Sequence, residues 1–329
     1  MRNAIIAGTG SYVPELTLTN KHFNEQLGED VDTWLVENLT IRERHWCKED
    51  ESTADLCENA AIEALKAADL NAEDLDMIIV STDTPEFISP STASVVQHRI
   101  GAKRAGTFDL NTACAGFVTA LDTASKYIKA DDQYKNILVI GAYAMSKHLN
   151  KEDKKTVTLF ADGAGAVILK STEEPDRGFM SAHQFTCGEY HDWMGIYSGG
   201  AKQPVTTDVL TDRTHQLQFV KKFPKELNPT NWTEMAQRLM KENDLSPEDV
   251  KMFFMTQINI SSIHQMLDNL GLPHDKAHYI MDRYGYTGSA AIPMALDEAV
   301  KEGKVSKGDI VFFIGSGGGL AFAAAAFKL

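Results

Sequence analysis

Two stretches far apart in the chain share one layout. Asp69-Leu70-Asn71-Ala72-Glu73-Asp74-Leu75-Asp76 runs into the apolar Met77-Ile78-Ile79-Val80-Ser81, and Asp244-Leu245-Ser246-Pro247-Glu248-Asp249-Val250-Lys251 runs into Met252-Phe253-Phe254-Met255-Thr256. Each reads as a polar turn feeding a buried strand. A second echo pairs the strand–glycine–strand unit over 156–169, centred on Ala161-Asp162-Gly163-Ala164-Gly165-Ala166, with Ile310 to Phe327, centred on Gly315-Ser316-Gly317-Gly318-Gly319. The same elements in the same order twice imply a duplicated fold. Strands alternate with helical stretches between the echoes, which implies α/β layers on mostly parallel sheets. The halves are expected at 1–170 and 171–329, and 43% hydrophobic residues suffice for a sizeable core.

Local signals fill in this frame. Ala4-Ile5-Ile6-Ala7 predicts a strand ending in a turn at Gly8-Thr9-Gly10, which lacks the full GxGxxG phosphate pattern. Ser52 or Thr53 caps a helix running to about Ala68. A helix over 91–100 follows Pro90, Asn136 to Gly141 is an apolar strand, and a helix is expected from Trp232 to Asn243. Residues 171–230 are the least regular.

Several function classes are disfavoured. A net charge of -14 argues against nucleic acid as a general partner. Cys47, Cys57, Cys114 and Cys187 have no CxxC spacing and the histidines no HxxxH pair, so neither a disulfide framework nor a metal site is expected. The N-terminal apolar run is too short for a signal peptide and no run approaches a membrane span, so a soluble, cytoplasmic protein is expected.

The chemistry points to Asn111-Thr112-Ala113-Cys114-Ala115-Gly116-Phe117. Gly106-Thr107-Phe108-Asp109-Leu110 before it reads as the end of a strand, and Val118, Leu121, Ala124 and Ile128 after it recur at helical spacing. A helix start offers free N–H groups and partial positive charge, which favour thiolate, the nucleophilic form. A buried structural cysteine is the competing expectation.

Across essentially its whole length the chain resembles the β-ketoacyl-ACP synthase III family of the thiolase superfamily. The resemblance is carried by Trp34 with Ile41-Arg42-Glu43-Arg44-His45, by Pro90-Ser91-Thr92-Ala93, by Ala113-Cys114-Ala115-Gly116-Phe117 and Asp162-Gly163-Ala164-Gly165-Ala166, by Tyr284 to Pro293, and by Gly317-Gly318-Gly319. It implies a thiolase fold: a duplicated, five-layered αβαβα arrangement with two mostly parallel central sheets, normally a homodimer. It implies acyl-CoA or acyl carrier protein (ACP) thioesters as substrates and no tightly bound cofactor. Cys114 would carry the acyl group, with its own N–H and that of Gly318 as the oxyanion hole.

The departures concern the step after acylation. The family's His in a His-Gln-Ala-Asn motif is replaced by Thr256 in Thr256-Gln257-Ile258-Asn259, and the family's Asn in a Gly-Asn-Thr motif by Tyr286. That His and Asn serve the decarboxylating half-reaction, and neither Thr nor Tyr matches a His as acid–base partner near neutral pH. Trp34 is kept where the family stacks the CoA adenine, while Asn38 and Lys154 stand in for its arginines. Ser89 occupies the place of a bulky acyl-pocket residue contributed by the partner subunit. The basic residue that docks the carrier protein is missing near Ser261; Lys221, Lys222 and Lys225 offer a substitute patch or a plain solvated cluster. His148 and Glu86 are candidate bases, each with an ordinary surface role as the alternative. Three functions are compatible with this pattern: a Cys-dependent acyltransferase or atypical condensing enzyme of fatty-acid or secondary metabolism, an ordinary decarboxylating synthase with substitute groups, or a non-catalytic acyl-binding subunit.

Overall fold

The computed structural model describes residues 2–329. Its first half comprises β1 (Asn3–Tyr12), α1 (Thr53–Ala67), β2 (Met77–Ser81), α2 (Thr92–Ile100), β3 (Gly106–Leu110), α3 (Gly116–Ala130), β4 (Asn136–Ala144) and β5 (Asp162–Thr172). The second comprises β6 (Gly178–Thr186), α4 (Leu227–Glu242), β7 (Val250–Met255), α5 (Ile260–Asn269), α6 (Ala291–Lys301), β8 (Ile310–Gly317) and β9 (Ala321–Lys328). The sheets are ordered β1-β5-β4-β2-β3 and β7-β8-β9-β6. In the first, β4, β2 and β3 run parallel and β5 is antiparallel to both of its neighbours, so β5 alone is reversed. In the second, β9 alone is reversed. The second-half counterpart of β3 has shrunk to one parallel bridge, Phe253 to Ala277.

Helices complete five layers. α1 and α2 pack together on the outer face of the first sheet, α3 and α6 touch both sheets from between them, and α4 covers the second sheet with α5 against it. The duplication extends to individual hydrogen bonds. Asn71 N–H donates to Asp74 Oδ2 at 2.9 Å before β2, and Ser246 N–H donates to Asp249 Oδ2 at 2.7 Å before β7. Each is a capping box, so the two polar turns are the same device. α1 starts as expected, at Ser52, whose N–H is taken by Asp55 at 2.8 Å.

Three expectations are corrected. β1 does not end at Gly8 but runs through Gly10 to Tyr12. A Cβ on Gly8 would lie 2.6 Å from Ala64 O and one on Gly10 2.5 Å from Ala60 O, so these glycines let α1 lie directly on the strand. Thr156–Leu159 is not a strand: Lys154–Val157 is a helical turn, and the glycine-rich segment lies inside the single strand β5. A Cβ on Gly165 would meet Met294 N at 2.6 Å, so glycine here admits α6. The irregular stretch contains one long regular strand, β6, and α4 begins at Leu227, ahead of Trp232. No helix among the described residues is long and apolar enough to cross a membrane.

Candidate active site

Parallel strands deliver their C-terminal ends to one edge of a sheet, where open α/β folds place their sites. Beyond β3, residues Ala113–Ala115 form a 3-10 turn that passes into α3. Ala113 opens it at φ 46°, and in the second half Gly288 opens the matching turn before α6 at φ 50°. Cys114 thus corresponds to Ser289, whose hydroxyl donates to Ala142 O at 2.7 Å and ties the second turn to β4.

The end of β8 clasps the Cys114 turn. A Cβ on Gly315 would stand 2.9 Å from Ala115 Cα, and one on Gly317 would stand 2.5 Å from Thr112 O and 2.6 Å from Cys114 N. Gly318 is roomier, with Met194 O the nearest atom at 3.5 Å from its would-be Cβ and Ala113 Cβ at 4.0 Å.

Cys114 is only 4% exposed. Burial pushes its thiol up to about 12, the Asp83 carboxylate adds to the rise, and a hydrogen bond from the Tyr286 hydroxyl opposes it. The helix start expected to favour a thiolate is present, and desolvation and the Asp83 charge work against it. Tyr286 is fully buried, and burial raises its hydroxyl well above the ordinary phenol range. Its backbone is pinned across the halves, donating to Leu159 O at 2.9 Å and accepting from Ala161 N at 2.9 Å. Gly285 before it has φ 67°, with Arg44 Cβ 2.7 Å from the position a side chain would take.

Thr256 lies at the end of β7 with its hydroxyl fully engaged. It accepts from Ser316 N at 2.9 Å and donates to Ser316 O at 3.3 Å, joining β7 to β8. The side chain at this position acts as a strand clip.

The residue that sequence reasoning passed over is Asp83. It follows β2 by two positions, in a loop held from three sides. Thr84 N–H donates to Thr82 Oγ1 at 3.0 Å, Ala144 N–H to Thr84 Oγ1 at 2.8 Å, and Thr53 Oγ1 to Thr84 O at 2.6 Å. Asp83 Oδ1 is shut off from solvent and has no hydrogen-bond partner among the described residues. Burial pushes its carboxyl up to about 6. Its charge acts on Cys114, Tyr143 and Tyr286 alike. A signal was available: a carboxylate just past the C-terminal end of an apolar parallel strand.

The other predicted residues sit in varied settings. His148 ends the short turn Met145–His148, half-buried, and burial followed by His215 lowers its pKa. Glu86 accepts from Ala54 N–H at 2.9 Å and so caps the start of α1. Trp34 is 55% exposed on the helix Asp32–Leu39, and Asn38 on the same helix donates to Trp34 O at 2.9 Å. Lys154 pairs with Glu29 at 2.8 Å on the surface, Ser89 is exposed, and Asn259 caps α5 by accepting from Ser261 N–H at 2.9 Å. Lys221 lies over the Trp193 ring, 5.4 Å from its centroid. His278, Glu298 and Glu302 bring ligand-type atoms within 4.8 Å of one another, but Arg283 holds Glu298 through two hydrogen bonds of 2.7 and 2.9 Å.

Comparison with known proteins places this geometry. Residues 108–188 match the family described as 3-Oxoacyl-[acyl-carrier-protein (ACP)] synthase III, and residues 240–329 match its C-terminal region. The β-ketoacyl-ACP synthase III of Clostridioides difficile (strain 630) is 37% identical over 323 residues, covering 98% of this chain and 97% of its own. The chain belongs to the β-ketoacyl-ACP synthase III family. The family enzyme of Desulfitobacterium hafniense (strain Y51) is 38% identical over 323 residues, again covering 98% and 97%. The crystal structure of the synthase III of Aquifex aeolicus VF5 superposes with a TM-score of 0.89 at 33% identity, over 99% of this chain and 100% of its own. Those matches establish the duplicated thiolase-type α/β fold for the chain, including the strand–turn–helix segment that carries Cys114.

Proposed function

We propose that the protein is an acyltransferase of the synthase III type that forms an acyl-Cys114 thioester and passes the acyl group to an acceptor by transfer or atypical condensation. The observation that carries this reading is the clasped turn. A buried cysteine at the head of α3 is held against the glycine-rich end of β8, with a tyrosine hydroxyl on its sulfur. The glycines at 317 and 318 let the end of β8 lie against the Cys114 turn, and the backbone N–H groups of Cys114 and Gly318 are the proposed oxyanion hole. The Tyr286 hydroxyl stabilises the sulfur anion when the thiol loses its proton and again when the sulfur leaves.

Acyl-CoA or acyl-ACP is the proposed donor. The exposed Trp34 ring offers a stacking face for adenine, with Lys154 and Asn38 as polar partners and Lys221, Lys222 and Lys225 as the carrier-docking patch. Ser89 widens the acyl pocket, Asn259 shapes the strand-to-helix corner beyond Thr256, and a homodimer is the proposed working unit. The Thr256 hydroxyl is consumed by Ser316, so no group there supports the enolate of a decarboxylation. This favours acyl transfer over ordinary malonyl condensation.

The test is intact mass spectrometry after mixing with a panel of acyl-CoA and acyl-carrier thioesters. An adduct that disappears in Cys114→Ala is expected, without CO₂ release from a malonyl thioester. No adduct with any donor refutes the reading.

A further inference from the structure

We propose that residues 196–217 form a strap across the approach to Cys114 and that Arg213 is its latch, released to admit a thioester; the use made of the opening rests on the acyl-transfer reading above. The segment leaves and rejoins the body at one short ladder. Its ends are the two-residue strands Met194–Gly195 and Gln218–Phe219, which pair Gly195 with Gln218 and Met194 with Phe219. That ladder abuts the Cys114 turn. A Cβ on Gly318 would lie 3.5 Å from Met194 O, 3.8 Å from Met194 Cε and 4.0 Å from Ala113 Cβ, so Met194 faces the residue before Cys114. The Phe219 ring lies 6.1 Å from that of Phe160, which lies 5.5 Å from that of Tyr286. Met194 and Phe219 are half-buried and Cys114 is buried, so on this side the ladder stands between the turn and solvent.

The strap is held down at few points. Among the described residues, every hydrogen bond from it to the rest of the chain, its ladder aside, goes to the loop 148–152. Leu217 N–H donates to His148 O at 2.8 Å, and Arg213 donates to Asn150 Oδ1 at 2.9 Å and Glu152 Oε2 at 2.6 Å. Ser198 Oγ donates to Thr214 Oγ1 at 2.7 Å, which closes the segment on itself. Val209 and Leu217 are buried, but Val205 and Leu210 are 62% and 54% exposed, so apolar anchoring is thin. Segments with few buried contacts and exposed bonds are the ones that open locally.

Arg213 has the marks of a latch. Its φ of 57° lies in the left-handed region, which a long side chain occupies only where its surroundings hold it. What holds it is an ion pair whose members are 44% and 76% exposed, and such a pair is weak and screened by salt. The bond is strong enough to bias the strap and weak enough to release it.

Labelling of Cys114 by N-ethylmaleimide, a neutral reagent, reads the opening without any acyl donor when followed on the Cys114 peptide by mass spectrometry. In the wild type the rate should rise up to about fivefold between low salt and about 1 M NaCl, the bias an exposed pair can supply. Arg213→Glu should label at the fast rate at both salt concentrations. Adding Glu152→Arg restores opposite charges and should bring back the slow, salt-dependent rate. Lys103→Glu breaks the remote surface pair with Glu73 and should leave labelling unchanged. Labelling that ignores salt in the wild type, or a double variant that stays fast and salt-independent, overturns the latch. Acylation by an acyl-CoA should speed up in Arg213→Glu in step with labelling; faster labelling beside unchanged acylation overturns the strap as the thioester entrance. The expected labelling pattern in a protein that no donor acylates supports the latch and refutes the acyl-transfer reading instead.

Discussion

Replacing Gly317 by alanine tests whether the clasp around Cys114 is as rigid as its contacts imply. The new Cβ would sit 2.5 Å from Thr112 O, 2.6 Å from Cys114 N and 2.9 Å from Ala115 N. All three are backbone atoms, so no side-chain rotation relieves the clash, and either β8 or the Cys114 turn must shift. Overpacking of this kind costs about 1–3 kcal/mol, and an all-backbone clash belongs at about 3. With an unfolding entropy of about 2.1 cal/mol/K per residue, a chain of this length has roughly 0.7 kcal/mol/K in total, so the melting temperature should drop by about 4 °C. A displacement of the turn by about 1 Å should slow acylation about 100-fold. Gly318→Ala is the control for stability, since its nearest neighbour is 3.5 Å away and the melting temperature should barely move. Differential scanning fluorimetry gives the first quantity and stopped-flow acylation the second. If Gly317→Ala melts with the wild type, or if Gly318→Ala is equally destabilised, the close approach of β8 to the turn does not organise the site.

Two further perturbations probe single contacts. Thr256→Val removes the strand clip and leaves the buried Ser316 N–H without its acceptor; the urea midpoint should fall by the equivalent of about 1–3 kcal/mol, whereas Thr256→Ser should hold it, and equal midpoints for all three proteins would count against the clip. Burial alone would raise the Glu298 carboxyl, but hydrogen bonds from His278 and Arg283 outweigh it and bring it down to about 2. A depressed carboxyl contributes stability that is complete above its unfolded value of 4.5 and is lost as pH falls toward 2. Glu298→Gln should therefore show a shallower loss of melting temperature over that window, and parallel curves for the two proteins would show that the pair contributes nothing.

The frame of the molecule was legible because it rests on pattern. A polar turn with Asp three residues after its cap, followed by an apolar run, is a local device, and Asn71–Asp74 and Ser246–Asp249 obey it in both halves. The turn carrying Cys114 was legible for the same reason, since a small-residue bend between an apolar strand and a helical period has few other solutions. Glycine was the weak point. Gly8, Gly10 and Gly165 read as turns, yet each lies within a strand where a helix needs the space of a missing Cβ. The glycine signal is the same in both cases, and only the partner packed against it tells them apart.

The chemistry around Cys114 was harder to read because it depends on what burial does to each group. A helix start predicts a low thiol pKa, whereas burial and then the charge of Asp83 push the Cys114 thiol up. The carboxylates and histidine near this end of the sheet have different engagements. Glu86, three residues further along the same loop, has spent its carboxylate on the N–H of Ala54, and His148 feels His215 instead. Asp83 differs from them by its position on a pinned loop at the end of β2, with an oxygen left without a partner. The place of Asp83 is thus a property of register, set by the hydrogen bonds of Thr82 and Thr84 on either side of it.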